Sequence, residues 1–191
     1  MQKADSKQRC FGAGQGKEFY AAYHDHEWGV PAHNDQHLFE MLILEGAQAG
    51  LSWETVLKKR EAYRAAFYNF DPAKVAAMSD AELTEQCQNA GIIRNRLKIF
   101  GTRQNARAFL AIQQEFGSFD NYVWRFVNNQ PLKHTRASLK DIPATSPESD
   151  ALARDLKKRG MTFVGSTIMY AFMQAVGMVD DHVLSCWRYK K

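Results

Sequence analysis

The chain has 191 residues, of which 45% are hydrophobic and 24% are charged. This composition supports one core or two closely packed lobes, and it excludes a chain that is disordered over most of its length. The formal net charge of +4 permits binding to nucleic acid without requiring it.

Helix signals begin near residue 35, and no segment alternates strongly enough to predict a strand. Asp35 is predicted to cap a helix with Leu38 on its apolar face. Ser52 is predicted to cap the next helix, which extends through Tyr63 to Phe67. The first third of the chain is therefore expected to be helical.

The middle of the chain carries further helix signals. Asp71 precedes a proline at a first helical position. Ser79 and Glu82 form a capping box for a helix that Gly91 is predicted to end. Ser146 is predicted to restart helix. Residues 95–114 are expected to form a long helix, residues 119–127 a short aromatic segment and residues 128–147 a connector.

Residues 150–177 are predicted to form two helices joined by a tight turn. The turn lies between Gly160 and Gly165, and glycine permits positive φ there. The second helix opens at Ser166 and Thr167, so the N–H groups of residues 165–167 would face outward, where a helix N-terminus binds anions. This arrangement suits a DNA phosphate, although an ordinary helix–helix connection has the same pattern.

The two ends of the chain carry metal-ligand side chains. His182 and Cys186 are four apart, which would place them on one face of a helix, and Cys10 and His24 lie near the other end. An odd number of widely spaced cysteines argues against a disulfide framework. A Cys2His2 set would suit structural zinc, but the spacing is not diagnostic, and ordinary core or surface positions also explain these residues.

Two function classes fit parts of the sequence. His24 and His26 form a His-x-His run, and a metal-dependent hydrolase could add ligands from residues 180–182. A non-catalytic, structure-specific DNA-binding module could use the hairpin and basic runs such as residues 157–159.

One acid occupies an apolar helical face. Glu45 lies on the stripe of Leu38, so its carboxyl is expected to be shielded from water, which raises its pKa. Tyr20, Tyr23 and Trp53 lie close by in the sequence, and aromatic faces with one carboxylate can hold a purine. Core packing of the rings and a buried glutamate satisfied by arginine are the alternatives.

Four long segments occur in one order along the chain: residues 23–31 (YHDHEWGVP), 38–61 (LFEMLILEGAQAGLSWETVLKKRE), 90–99 (AGIIRNRLKI) and 163–186 (FVGSTIMYAFMQAVGMVDDHVLSC). Together these segments resemble the bacterial 3-methyladenine DNA glycosylase I family. The likeness extends over nearly the whole chain, from Cys10 to Cys186, and is far more specific than any single cluster.

The resemblance implies an all-α, helix-hairpin-helix DNA glycosylase fold. Residues 1–191 would form a single unit with two helical lobes around a cleft, with the hairpin at about 150–177. One structural Zn²⁺ per chain would tie segments 10–24 and 182–186 together. The ligands implied by position are Cys10, His24, His182 and Cys186.

The resemblance also implies the site residues. Glu45 would be the acid of the catalytic site and would recognise the base, with Tyr20, Tyr23 and Trp53 around it. Leu51 would fill the gap left in the DNA stack. The hairpin amides of Gly165, Ser166 and Thr167 would contact the DNA backbone.

The activity implied is monofunctional hydrolysis of the N-glycosidic bond of 3-methyladenine in duplex DNA that contains alkylated purines. Methylation at N3 makes the base cationic and a good leaving group, so Glu45 need not act as a nucleophile. Residues 1–9 carry no apolar signal core, and no apolar run is long enough to span a membrane. We therefore expect a cytoplasmic monomer without a membrane partner.

Two departures from the family pattern are present. The family has tryptophan two residues after the first cysteine, whereas Cys10 is followed by Phe11-Gly12, and the segment to Tyr20 is one residue longer. In addition, Asp180 lies in a stretch that carries the catalytic aspartate in other helix-hairpin-helix glycosylases. A role as a helix cap is favoured for Asp180 over assistance in catalysis.

Overall fold

The protein is described over residues 7–189 by a computed structural model, and this range forms ten α-helices. In chain order they are α1 (Glu18–His26), α2 (Asp35–Gln48), α3 (Trp53–Leu57), α4 (Arg60–Ala66), α5 (Pro72–Ala77), α6 (Asp80–Gln86), α7 (Arg96–Phe116), α8 (Phe119–Trp124), α9 (Pro147–Lys158) and α10 (Ser166–Ala175). Short 3-10 helical turns lie at Tyr68–Phe70, Arg125–Val127 and Leu139–Asp141. The predicted predominance of helix is confirmed.

Local capping chemistry sets several helix starts where the sequence predicts them. Ser52 accepts the N–H of Thr55 at the start of α3. The Ser79–Glu82 capping box is formed at α6, with both reciprocal hydrogen bonds present. Asp71 likewise caps α5. These side chains satisfy N–H groups that the first helical turn leaves unpaired.

The prediction that Asp35 caps α2 is wrong by one residue. The side chain of Asn34 is the cap and accepts the N–H of His37. Asp35 opens the helix, and its carboxylate instead accepts the backbone N–H groups of Phe119 and Asp120 at the start of α8. The acid therefore caps a helix distant in sequence, which local spacing cannot predict.

Two predicted helix ends also differ from the structure. The helix that begins after Ser52 ends at Leu57, and Tyr63 belongs to α4. Helix α6 ends at Gln86, before Gly91. A Cβ built at Gly91 would lie 2.9 Å from Cβ of Ala62. The glycine therefore permits close packing against α4 and does not terminate a helix.

The core is built around α2. Residues 38–47 of this helix are all buried, and they are flanked by α7, α8 and α10. The hairpin of α9 and α10 packs on the same core through Leu152, Leu156 and Phe172. This central position of α2 brings Glu45 close to the start of α10.

A small parallel sheet was not predicted. Strands β1 (Leu132–Lys133) and β2 (Val179–Asp180) pair in parallel. Each strand has two residues, too few for an alternating pattern to be visible. The sheet joins the connector at 128–147 to the segment that leads to His182. Across residues 7–189, no helix has the length and apolarity needed to cross a membrane.

Candidate active site and metal centre

The hairpin turn between α9 and α10 lies where it was predicted, but the residues that have positive φ differ from the two predicted glycines. Gly160 has φ +89°, as expected, whereas Gly165 has φ −64°. Phe163 takes a left-handed conformation at φ 55°. Its ring and backbone pack closely on Gly46 of α2 and Gly101 of α7. The turn therefore packs against the core through an aromatic residue.

The N-terminus of α10 begins without a side-chain cap. Gly165 occupies the N-cap position, and no hydrogen bond within residues 7–189 uses the backbone N–H of Gly165, Ser166 or Thr167. The hydroxyl of Ser166 bonds to Ser149 and Asp150 on α9. The three amides are thus available to an external acceptor.

A surface pocket of about 180 Å³ joins this helix start to the end of α2. Its walls come from two segments, namely Glu45, Gln48, Ala49, Gly50 and Leu51 on one side and Thr167, Ile168 and Ala171 on the other. Leu51 is 41% exposed, so its side chain is accessible at the edge of the pocket. The pocket therefore unites the predicted recognition acid, the predicted stack-filling residue and Thr167, one of the predicted DNA-binding residues of the hairpin.

Glu45 is buried without a hydrogen-bond partner. Its side chain is only 4% exposed, and Oε2 has no donor within reach. Burial raises the pKa of Glu45 to about 8. An unpaired buried carboxyl costs free energy of folding, and such a cost is typical of a binding or catalytic site.

Aromatic side chains from α1 and α3 pack next to this carboxyl. The rings of Tyr23 and Trp53 lie 5.3 Å apart between centroids, and Nε1 of Trp53 is buried without a partner. Burial and the charge of Glu45 raise the pKa of Tyr23, and burial and the charges of Glu54 and Glu45 raise the pKa of Tyr20. Tyr20 and Tyr23 are therefore near enough to Glu45 to be affected by its charge, and Trp53 packs on Tyr23. None of the three rings lines the open pocket.

Phe11 belongs to the same aromatic group and was not assigned a role from the sequence. Its ring lies 4.8 Å from Tyr20 and 5.0 Å from Trp28. A side chain at Gly12 would collide with the backbone of α1, because a Cβ there would lie 2.8 Å from Ala21 N. Phe11 is therefore the residue after Cys10 that can place a ring in this cluster.

Four ligand-type side chains meet at a second site. The donor atoms of Cys10, His24, His182 and Cys186 all lie within 4.8 Å of one another. Sγ of Cys186 lies 3.4 Å from Nε2 of His24 and 3.6 Å from Nδ1 of His182. Tetrahedral zinc sites have ligand-to-ligand distances of about 3.3–3.8 Å. This cluster could therefore hold a metal ion.

An outer layer of hydrogen bonds orients the two imidazoles. Nδ1 of His24 bonds to Asp25, whose carboxylate also accepts hydrogen bonds from Arg9 and Trp187. Nε2 of His182 bonds to the backbone oxygen of Trp28. Metal-binding histidines have such partners on their second nitrogen. Both imidazoles therefore point their remaining nitrogen at the cluster.

Burial shifts the pKa values of two candidate ligands in this cluster. It lowers the pKa of His182 to about 4, so that imidazole is neutral at pH 7. It raises the pKa of Cys10 to about 12, which makes a bare thiolate unfavourable. A divalent cation reverses this preference because it binds the thiolate directly. The donor set therefore fits a thiolate-binding cation.

The segment that carries His182 and Cys186 is not a helix. A tight turn, in which Cys186 N–H donates to the oxygen of Val183, brings the two side chains together. Asp180 does not cap a helix either; its carboxylate accepts the N–H of His182. His26 is exposed and lies outside the ligand group.

The buried acid beside His182 is Asp181. Its two oxygens accept hydrogen bonds from four side chains, namely His134, Arg136, Tyr170 and Gln174. These bonds connect the connector after β1 to α10. Because every oxygen is already engaged, Asp181 stabilises the fold around the ligand cluster and is not free for chemistry.

The helical fold is similar to that of solved DNA glycosylases. A structure of 3-methyladenine DNA glycosylase I from Staphylococcus aureus, which describes 3-methyladenine recognition, is 35% identical and covers 98% of this chain and 99% of its own, with a TM-score of 0.91. The fold therefore places the protein in the class of helical DNA glycosylases.

The sequence comparisons specify the family. The methyladenine glycosylase family model matches residues 13–189. DNA-3-methyladenine glycosylase 1 of Escherichia coli (strain K12) is 55% identical over 170 residues, which cover 89% of this chain and 91% of that protein. DNA-3-methyladenine glycosylase of Haemophilus influenzae is 47% identical over 93% of this chain and 96% of its own. The chain therefore belongs to the methyladenine glycosylase family.

Proposed function

We propose that the protein excises 3-methyladenine from alkylated duplex DNA by hydrolysing its N-glycosidic bond. The observation that carries this proposal is the unpartnered, buried carboxyl of Glu45 in a pocket shared with Leu51 and Thr167. A pocket that holds an acid between an exposed apolar residue and a helix N-terminus suits a flipped, cationic base attached to a DNA backbone.

Glu45 recognises the base in this proposal. A cationic methylpurine that enters the pocket lowers the pKa of the carboxyl, and the carboxylate then accepts hydrogen bonds from the edge of the ring. Trp53 has an indole N–H without a partner, and the rings of Tyr20 and Tyr23 adjoin the acid. These side chains supply the aromatic surroundings that favour a cation.

The bond that breaks joins the base to C1′ of the sugar. Because the methylated base is already cationic, the electron pair of that bond neutralises it, and the base leaves without being protonated. Water then adds its oxygen to C1′ and releases one proton to the solvent, which leaves a hydroxyl group on the sugar. The protein contributes extrusion of the nucleotide, capture of the base and exclusion of bulk water, and Glu45 is not a nucleophile.

The proposed DNA contacts come from two segments. Leu51 inserts into the stack where the base has left, and the amides of Gly165, Ser166 and Thr167 bind a phosphate. In this role, α9 and α10 are the helix-hairpin-helix element of a single unit, with the cleft between two helical lobes. The protein acts on duplex DNA as a monomer.

The cysteine and histidine cluster holds one structural Zn²⁺ in this proposal. Cys10, His24, His182 and Cys186 supply four ligands, which complete a tetrahedral site and leave no position for substrate. Bound zinc would tie the segment at Cys10 and helix α1 to the turn at Cys186. It would contribute stability and no step of the reaction.

Release of 3-methyladenine from methylated duplex DNA tests the proposed activity. We expect wild-type protein to release the free base and leave abasic sites without strand cleavage. A brief chelator treatment at a temperature where the protein stays folded should not reduce the rate. Binding to abasic DNA without base release would support a non-catalytic module, and immediate loss of activity on chelation would support a metal-dependent hydrolase.

Substitution of Gly165 tests the phosphate site. Gly165 has φ −64°, and a Cβ built there meets nothing within 4 Å. Gly165→Ala should therefore leave the melting temperature unchanged or slightly higher. Its methyl group would occupy the space in front of the free amides. We expect about a tenfold loss of affinity for duplex DNA, the loss expected when one charge-assisted hydrogen bond is removed.

Fluorescence anisotropy at constant salt measures this loss, and binding of free 3-methyladenine provides the control. The variant should bind the free base like the wild type, because Gly165 does not line the pocket around Glu45. Unchanged DNA affinity in a folded Gly165→Ala protein would show that no phosphate lies at these amides.

A further inference from the structure

Lys98 connects the first turn of α7 to the end of α2. Its ammonium donates hydrogen bonds to the backbone oxygens of Ala47 and Ala49, both at 2.8 Å. The last carbonyl groups of a helix have no partner within the helix and carry its partial negative charge. A lysine in this place therefore satisfies two acceptors at the point where α2 stops.

The segment held by Lys98 leads directly to Leu51. Gly50 has φ +80°, and a side chain there would contact nothing. The N–H of Leu51 donates to the oxygen of Gln48 at 2.6 Å. Glycine restricts the backbone least of all residues, so the position of Leu51 depends on the few bonds around it. The two bonds from Lys98 lie immediately before this turn.

Lys98 also lies next to the hairpin turn. Its ammonium is 6.0 Å from the centre of the Phe163 ring. Phe163 packs on Gly46, where a Cβ would lie 3.2 Å from Cβ of Phe163, and on Gly101, where it would lie 3.5 Å from the ring. Helices α2 and α7 and the hairpin turn therefore meet around Lys98.

We infer that Lys98 is a positioning residue that fixes the Leu51 loop relative to the hairpin amides of residues 165–167. This inference rests on the proposed function, in which both segments contact the same DNA. Extrusion requires Leu51 to enter the stack at a set distance from the phosphate that the hairpin grips. A displacement of the loop would leave the base pocket intact but would misalign these two contacts.

The test compares Lys98→Met with a matched control. Methionine retains much of the aliphatic stem of lysine and removes the ammonium. The control is Lys59→Met, because Lys59 also donates to two backbone oxygens, those of Ala90 and Gly91, at 2.9 and 3.3 Å. Lys59 does not line the pocket around Glu45. Both variants lose the same kind of bond.

Four measurements separate positioning from stability. We expect Lys98→Met to excise 3-methyladenine from fully paired duplex at least about tenfold more slowly than Lys59→Met, because small displacements remote from the chemistry are costly. Binding of free 3-methyladenine should change less than about twofold. A mispaired lesion costs less to extrude, so excision from a mismatched duplex should be less impaired. Fluorescence of 2-aminopurine placed beside an abasic-site analogue should show weaker unstacking.

Equal excision rates in the two lysine variants would overturn the inference. Loss of free-base binding equal to the loss of excision would also overturn it, because the pocket itself would then have changed. Failure of the proposed function is distinguishable, since the wild-type protein would then release no 3-methyladenine from any duplex. A Leu51→Ala protein with wild-type excision beside an impaired Lys98→Met would exclude positioning through Leu51.

Discussion

Glu45→Gln is expected to weaken binding of free 3-methyladenine and excision from duplex DNA by about 100-fold while leaving the protein folded. Hydrogen bonds to charged groups contribute about 1.5–3 kcal/mol, and 100-fold corresponds to about 2.7 kcal/mol. Glutamine retains the size of the side chain and one acceptor, but that acceptor is neutral, so the hydrogen bond to the edge of the free or DNA-attached base is weaker. In the DNA-attached base, which is still cationic, glutamine also fails to offset the positive charge. Because the base loses its positive charge as the bond breaks, the loss should fall mainly on KM.

The same substitution should stabilise the protein at high pH. Burial raises the pKa of Glu45 from 4.5 to about 8, so the folded state holds a proton that the unfolded state releases. The stability from this protonated group is fully present below pH 4.5 and is lost as pH rises through 8. A difference of this size corresponds to on the order of 5 kcal/mol. The wild-type melting temperature should therefore fall between pH 5 and 8 more steeply than that of Glu45→Gln.

Glu40 provides a matched control on the same helix. It is also buried, at 5% exposure, but Arg60 and Arg64 both donate hydrogen bonds to it. Burial alone would raise the pKa of Glu40, yet hydrogen bonds from His37 and these arginines hold it well below its ordinary value. Glu40→Gln should therefore destabilise the protein, by about 3–5 kcal/mol, without altering free-base affinity. Equal effects of the two substitutions on base binding would contradict the role given to Glu45.

The two acids of α2 also show what sequence can and cannot predict. Helical spacing correctly places Glu45 on a buried face. Helical spacing does not reveal which of the two acids forms an ion pair with an arginine, because that depends on how α4 packs against α2. Arg60 is fully engaged by Glu40 and Glu27. Only tertiary structure shows that Glu45 is left without a partner.

Helix starts were predictable where the signal is contained within four residues. The Ser79–Glu82 box and the cap at Ser146 are both formed. The prediction at Asp35 was wrong because that acid caps α8 from a distance of more than 80 residues. The split between α3 and α4 also escaped prediction, since the apolar pattern continues across it. Short-range chemistry is readable in the sequence, whereas the partner of a long-range cap is not.

The cluster of Cys10, His24, His182 and Cys186 was the feature that local sequence pattern predicted least well. The spacing of His182 and Cys186 suggested one face of a helix, yet a turn brings them together. Residue types suggested a Cys2His2 set with Cys10 and His24, but the spacing was not diagnostic, and the resemblance supplied the stronger reason to group the four residues. The parallel pairing of β1 with β2 directly precedes the segment of His182, whose ring lies 4.9 Å from that of His24 on α1. Such an approach of chain ends depends on the whole fold.

If the Cys10–His24–His182–Cys186 cluster holds the proposed structural zinc, removal of the ion is expected to lower the melting temperature by roughly 10 °C. A metal present at about 1,000 times its Kd contributes about 4 kcal/mol, and each kcal/mol changes the melting temperature by about 2–4 °C in a chain of this size. The ligands join parts of the chain that are 14 and 158 residues apart. Without the ion, His24, His182 and Cys186 remain buried around a poorly bonded centre.

Cys186→Ala tests this expectation together with a cysteine control. Metal analysis of the purified wild-type protein should give one zinc per chain, and Cys186→Ala should reduce this value and the melting temperature together. Cys87 lies outside the cluster, and its thiol bonds only to the oxygen of Leu83. Cys87→Ala should therefore retain the zinc and the wild-type melting temperature.

The temperature dependence of excision distinguishes a structural ion from a catalytic one. Because four protein ligands leave no open position, the excision rate of Cys186→Ala at a temperature well below its melting point should stay within about threefold of the wild-type rate. The excision rate of the variant should fall further only at temperatures where the variant begins to unfold. Complete inactivity of a folded Cys186→Ala protein, restored by added zinc without a change in melting temperature, would instead place the ion in the reaction.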